Sequence, residues 1–140
     1  MTALYVVDTN VVVAGLLTTD PVSPTRAILD AMLAAELRFA LSTELLAEYR
    51  EVLLRPALQR LHALTAGEID EVLVRLVQNA VVAAPGEDGT PSGTGDDAHL
   101  FALLDRMPGA LLVTGDARAA RRARDRGRSP RALADELGLT

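Results

Sequence analysis

The chain of 140 residues has no cysteine and no tryptophan, and all 14 of its basic residues are arginine, so lysine is absent as well. Without cysteine, a disulfide framework and a thiolate metal site are excluded, and a reducing compartment is the expected setting. Without lysine, any mechanism that needs a Schiff-base lysine or a phosphate-neutralising lysine is excluded. Aromatic residues make up only 3% of the chain, so leucine, valine and alanine must fill any core. Long uninterrupted apolar runs are also missing. The first such stretch, 4–17, is broken by Asp8, Thr9 and Asn10 and has no basic leader, which fits neither a signal peptide nor a membrane span. The expectation is a cytoplasmic protein without a membrane segment.

Apolar residues are plentiful at 49%, and the length suits one domain spanning 1–140. A net charge of −5 is unfavourable for a nucleic-acid partner, because phosphate contacts ordinarily come from a basic surface. The distribution tempers this. Seven of the 14 arginines fall between Arg118 and Arg131, while the acids are spread along the chain. Four carboxylates holding two divalent cations would also cancel most of the deficit.

The pattern of apolar residues predicts alternating strands and helices. Leu4–Val7 reads as a buried strand, followed by a helical segment over 11–17. Ser23 is a good N-cap and Pro24 suits a first turn, which predicts a helix from there to about Glu36. A short strand at 38–41 precedes a helix at 43–54, whose apolar residues recur with a 3.6-residue period. Arg55-Pro56 breaks the chain before a short helix to about His62. Thr65 and Glu68 have capping-box spacing, predicting a helix to about Asn79 and then a strand at 80–83. Residues 85–95 form the one low-complexity loop. Asp96-Asp97 opens a helix ending near Arg106, Pro108-Gly109 turns the chain, and 110–114 is a second buried strand. An arginine-rich helix and a last short helix, capped by Ser129-Pro130 and closed by Gly138, complete the chain. Such alternation predicts an α/β fold with a mostly parallel central sheet and helices on both faces.

In a sheet of that kind the ligand crevice lies beyond the carboxyl ends of the strands, where Asp8 and Asp116 stand. Taken singly, either aspartate reads as an ordinary cap or turn residue. Taken together, both follow apolar runs and should face one crevice. Asp97 begins a helix, where negative charge is favoured, and adjacent Asp96 could do the capping while Asp97 points inward. Glu48 lies close to the apolar stripe of its helix, whereas Glu44 and Glu51 read as solvated charges. A carboxylate cluster without cysteine or histidine suits Mg²⁺ or Mn²⁺ and not zinc. Metal-bound water is a usable nucleophile near neutral pH, so phosphodiester hydrolysis is the reaction this chemistry serves best.

The blocks Val-Val-Asp8-Thr9-Asn10, Leu-Leu-Ala-Glu48-Tyr49, Asp97-Ala98-His99-Leu100-Phe101-Ala102 and Leu-Val-Thr114-Gly115-Asp116 resemble, in order and spacing, the four acidic blocks of the PIN domain. The stretches 41–56 and 129–131 resemble the PIN subgroup of VapC-like toxins from toxin–antitoxin pairs. The resemblance implies a PIN-like fold and a Mg²⁺- or Mn²⁺-dependent endoribonuclease acting on single-stranded RNA. It implies Asp8, Glu48, Asp97 and Asp116 as the acidic quartet, with Asp8 and Asp97 as direct metal ligands and the others binding directly or through water. Asn10, Thr9 and Thr114 match polar neighbours that orient ligands. At the third block either Asp96 or Asp97 can be the ligand, and the Asp-Ala-x-x-x-Ala pattern points to Asp97. A cognate antitoxin and homodimerisation are further implications. One departure is the run Asp125-Arg126-Gly127-Arg128, which stands where a last strand is expected and predicts that this strand is short or absent.

The segment from Arg118, including Arg121 and Arg122, reads equally as a guide for RNA phosphates or as a solvated helix face. His62 and His99 read as non-catalytic, since His99 should project away from the direction of Asp97. A phosphoaspartyl phosphatase or receiver domain also places an aspartate after a first strand, but both resemble lysine-dependent sites. The remaining alternatives are a housekeeping RNA-processing nuclease and a catalytically silent PIN-like binding module.

Overall fold

The computed structural model describes residues 3–83 and 98–139. Five strands and eight α-helices lie within them: β1 (Tyr5–Val7), α1 (Thr9–Leu17), α2 (Pro24–Leu33), β2 (Ala40–Leu41), α3 (Thr43–Leu53), α4 (Pro56–His62), α5 (Ala66–Asn79), β3 (Val81–Val82), α6 (Ala98–Arg106), β4 (Leu111–Val113), α7 (Ala117–Ala123), β5 (Gly127–Arg128) and α8 (Pro130–Leu137). A single 3₁₀ turn at Arg124–Arg126 joins α7 to β5.

All the strand pairs are parallel. β1, β4 and β5 form one sheet with β4 in the middle, and β2 pairs with β3. A bridge between Tyr5 and Phe39, with Tyr5 N donating to Arg38 O at 3.0 Å, joins the two sets into the order β3-β2-β1-β4-β5. The winding therefore runs outward from β1 through β2 to β3, then jumps back to β4. Right-handed crossovers place the helices before the jump on one face and those after it on the other. The direction reverses between β1 and β4, and that is where a parallel sheet opens its crevice.

The core is aliphatic with a few large fillers. All four aromatics, Tyr5, Phe39, Tyr49 and Phe101, are buried, and Ile28, Met32, Leu41, Leu45 and Leu112 are fully enclosed. Strands β1 and β4 are buried along nearly their whole length, as expected of strands covered on both faces. Among the described residues, no helix is long and apolar enough to cross a membrane.

Most helix starts lie where their caps predict. Ser23 accepts from Arg26 N, Ser42 from Leu45 N and Ser129 from Ala132 N, and Thr65 with Glu68 closes both halves of a capping box. Gly138, at φ 66°, ends α8 in the left-handed region that glycine adopts without strain. The end of α2 differs from expectation. The helix stops at Leu33 and not near Glu36, because Ala35 takes φ 58° and Glu36 N bonds back to Ala31 O at 2.8 Å. This is a Schellman turn made without glycine, so no sequence signal announces it. The turn buries Leu37 and feeds β2, which is shorter than the expected 38–41. Strand β3 is likewise confined to the middle of 80–83.

The last strand is present but only two residues long. A Cβ added at Gly127 would lie 2.7 Å from Ala120 O, so β5 runs too close to α7 for any side chain at that position. The expected low-complexity loop at 85–95 and the helix start at Asp96-Asp97 lie outside the described residues.

Candidate active site

Strand β1 ends at Val7, and Asp8 N continues its ladder by donating to Val113 O at 2.9 Å. This pins the Asp8 backbone against the end of β4. Asp8 is the N-cap residue of α1, yet its carboxylate makes no capping hydrogen bond to that helix. Thr114 Oγ1 donates to Asp8 Oδ2 at 2.7 Å, and Asn10 Nδ2 donates to the same oxygen at 3.2 Å. The Thr114 hydroxyl also accepts from Asp116 N at 3.0 Å and lies 3.4 Å from Asn10 Nδ2. Asn10 Oδ1 accepts from Gly115 N at 3.1 Å. A hydroxyl offers one donor and two acceptor sites, and Thr114 uses all of them. Asp8, Thr9 and Thr114 are all buried, so this polar knot ties the ends of β1 and β4 together at the reversal point.

Glu48 comes to the same place from α3. Thr9 Oγ1 donates to Glu48 Oε2, and His99 Nε2 lies 3.4 Å from Glu48 Oε1. The Glu48 side chain is 30% exposed and that of His99 18%, so the glutamate is not the fully solvated charge of an outer helix face. The next residue, Tyr49, explains why α3 sits here: its hydroxyl donates to Val7 O, fastening the helix to the end of β1. Burial raises the Tyr49 pKa well above its ordinary value, and the negative charges of Asp8 and Glu48 push it further the same way. Both acids therefore stand close enough to act on one ring.

His99 adds a contact that helix geometry within its own segment did not point to. Its expected projection away from Asp97 falls on a residue outside the described ones, but it reaches Glu48 from the first turn of α6, and among the described residues its Nδ1 is buried without a hydrogen-bond partner. Nothing in the sequence signals this, because helical spacing relates His99 to its own helix and not to α3. His62 is structural: Nε2 meets Leu53 O at 2.9 Å, and Leu64 N donates to Nδ1 at 3.0 Å. Glu51 behaves as the solvated charge expected of it, 74% exposed and 3.7 Å from Arg55.

Asp116 follows β4 as Asp8 follows β1, and here the ordinary reading holds. Its Oδ1 accepts from Arg118 N at 2.9 Å, capping α7. Capping occupies only one of the several lone pairs of a carboxylate, so the residue keeps capacity for a further contact. Asp96 and Asp97, the third acidic block, lie outside the described residues. Among the described residues, no group of three or more acids or histidines is arranged to hold a metal. The donors that are brought together, Asp8 and Glu48 with Asp116 beyond Thr114, are hard oxygens, which suit Mg²⁺ or Mn²⁺.

The basic segment divides by role. Arg126 donates to the carbonyls of Leu104, Met107 and Ala110 at 2.8–3.0 Å, closing the end of α6 and its link to β4. Arg128 bridges Glu136 at 3.1 Å and holds the carbonyls of Asp125 and Gly127. Arg122 lies over the Phe101 ring, 4.1 Å from its centroid. Arg118 and Arg121 remain exposed on α7.

No curated protein matches the chain. The family model described as PIN domain matches residues 5–118, which take in β1 through the start of α7 and every candidate acid. The chain belongs to the PIN domain family, whose general function is of the nuclease type.

Proposed function

We propose that the protein is a Mg²⁺- or Mn²⁺-dependent endoribonuclease that hydrolyses single-stranded RNA, with Asp8, Glu48, Asp97 and Asp116 as its acidic quartet. The observation that carries this reading is the pair of carboxylates held by neutral donors at the reversal point of the sheet: Asp8 by Thr114 and Asn10, Glu48 by Thr9. A carboxylate near a core is costly unless it is compensated, and the hydroxyls and amide that hold these two orient their oxygens without themselves adding positive charge. When bound, the metal supplies a water activated near neutral pH and charge stabilisation at the phosphate. The protein's own part is orientation. Thr114 and Asn10 hold one oxygen of Asp8, which directs the carboxylate toward the crevice. Thr9 and His99 engage the two oxygens of Glu48, and Tyr49 fixes the helix that carries it. Such outer contacts commonly set ligand orientation and affinity. His99 is accordingly a positioning residue in this reading.

The finer reading is a toxin held in check by a cognate antitoxin, supported by the resemblance at 41–56 and 129–131. It places the protein in the cytoplasm, and homodimerisation belongs to the same reading. The test is incubation of purified protein with structured and single-stranded RNA in Mg²⁺, Mn²⁺ or EDTA, beside Asp97→Asn. Cleavage that needs metal and disappears in the variant is the expected result; EDTA-resistant cleavage would overturn the metal. For the toxin role, expression without a partner should arrest growth, and Asp97→Asn should relieve it. Equal growth of the two strains would leave an RNA-processing nuclease in its place.

A further inference from the structure

Beside Asp116 a cleft of about 430 Å³ opens between α2, α7 and α8. Thr114, Gly115 and Asp116 form one wall, so it is continuous with the candidate active site. Pro24, Ala117, Ala120 and Pro130 contribute apolar surface, and Arg131 is the basic residue among those that line it. Small-ligand clefts commonly hold roughly 300–1,000 Å³ and combine an apolar lining with a few polar groups. The walls are well fixed. Ser129 caps α8, Ser23 caps α2, and a Cβ at Gly15 would lie 2.8 Å from Thr25 O, so α1 and α2 are in close contact behind the cleft.

Arg131 differs from Arg122, Arg126 and Arg128 in being unengaged among the described residues, a state it shares with Arg118, Arg121 and Arg124, and of these four it is the one that lines the cleft. Arg126 and Arg128 are engaged with backbone carbonyls and Glu136, and Arg122 lies on Phe101. Arg131 is exposed, and among the described residues its side chain makes no hydrogen bond or ion pair. A cationic fork beside a small apolar cleft, next to an acidic site that acts on phosphodiesters, suits one ligand class well: an anionic phosphate carrying an apolar-faced sugar and base.

We infer that this cleft is a nucleotide subsite, seating the RNA residue next to the bond that is cleaved. Its base and ribose pack on Pro24, Pro130, Ala117 and Ala120, and Arg131 takes its phosphate. The inference rests on the ribonuclease reading above and adds where the strand runs.

The test measures fluorescence anisotropy of a labelled single-stranded RNA of mixed sequence over a range of salt. It uses a Glu48→Gln background to suppress cleavage and follows the melting temperature of each variant. Arg131→Ala should weaken binding about tenfold and reduce the salt slope by about 0.7, the share of one phosphate contact on a single strand. Arg131→Lys should restore the slope, and Ala117→Phe, which fills the cleft, should weaken binding with the slope intact. Arg75→Ala on α5 should change neither. Unchanged affinity and slope in Arg131→Ala, with Glu48-intact protein still cleaving RNA in Mn²⁺, would overturn the subsite alone. A parent protein that neither binds nor cleaves RNA would overturn the ribonuclease reading and the subsite with it.

Discussion

Asp8 and Asp116 occupy matching places. Each follows a buried parallel strand, and each is the N-cap residue of the helix that comes next. Asp116 spends a carboxylate oxygen on its own helix, accepting from Arg118 N. Asp8 does not: its carboxylate turns to Thr114 and Asn10, and α1 begins without a side-chain cap. A missing cap costs about 0.5–2 kcal/mol. Helix α1 tolerates the loss because Val11, Val12 and Gly15 are buried against the fold, so packing and not capping holds it. Where a residue forgoes the stabilising role its position offers, a functional demand is the usual reason. The difference between the two strand ends therefore ranks them: at the β1 end the carboxylate is held by Thr114 and Asn10, and at the β4 end it is committed in part to capping a helix.

Asp8→Asn should break the β1 end most severely. It keeps the size of the side chain but removes the charge, and metal-dependent RNA cleavage should fall roughly 100-fold or more, the upper end of what loss of even an outer metal contact costs. The rise in melting temperature that Mn²⁺ gives the parent protein should shrink at the same time. An undiminished rise would place the metal elsewhere. Thr114→Val should come next. It removes the donor to Asp8 and the acceptor for Asp116 N, and should weaken metal binding about 10-fold to 100-fold, with a stability loss of about 1–3 kcal/mol for the buried groups left unpaired. Calorimetric titration with Mn²⁺ and denaturant melts would separate the two effects, and Thr114→Ser should recover both.

Tyr49 sharpens the comparison through pH, since only the β1 end leans on it. Its folded pKa is raised by burial and by Asp8 and Glu48, while an unfolded tyrosine ionises near 10. Above that value the unfolded chain holds fewer protons than the folded one, so stability should be complete below about pH 10 and then fall by about 1.4 kcal/mol per pH unit. Melts at rising pH should show this slope, and Tyr49→Phe should flatten it. A variant with the same slope as the parent would assign the loss to another group. The smallest effect is expected at the β4 end. Asp116→Ala should lose about 0.5–2 kcal/mol with the cap, whereas Asp116→Asn should cost little because asparagine caps as well. If Asp116→Asn also keeps full cleavage, the residue is a cap and nothing more.

Local chemistry made much of the fold legible. The capping signatures at Ser23, Thr65 and Ser129 work over three or four residues, and each starts a helix where expected. The alternation of apolar runs with helical periods implied a parallel sheet, and from that the position of Asp8 and Asp116 at strand ends. Other features had no local signature. The Schellman turn at Ala35 lacks the glycine that usually marks one, and Gly127 reveals its purpose only where Ala120 O passes 2.7 Å from its missing Cβ.

The acidic residues themselves, and their order along the chain, were determined by sequence alone, because a carboxylate after a buried strand is visible in any register of reading. What each carboxylate does was decided only by tertiary structure. Thr114 reaches Asp8 across 106 positions and Thr9 reaches Glu48 across 39, and His99 meets Glu48 from another helix. Arg126 and Arg131 belong to one basic run, yet one is bound to backbone carbonyls and the other lines a cleft. The reason is physical. Hydrogen bonds and ion pairs act over a few ångströms, and which groups come within that range depends on the packing of strands and helices that are distant in the chain.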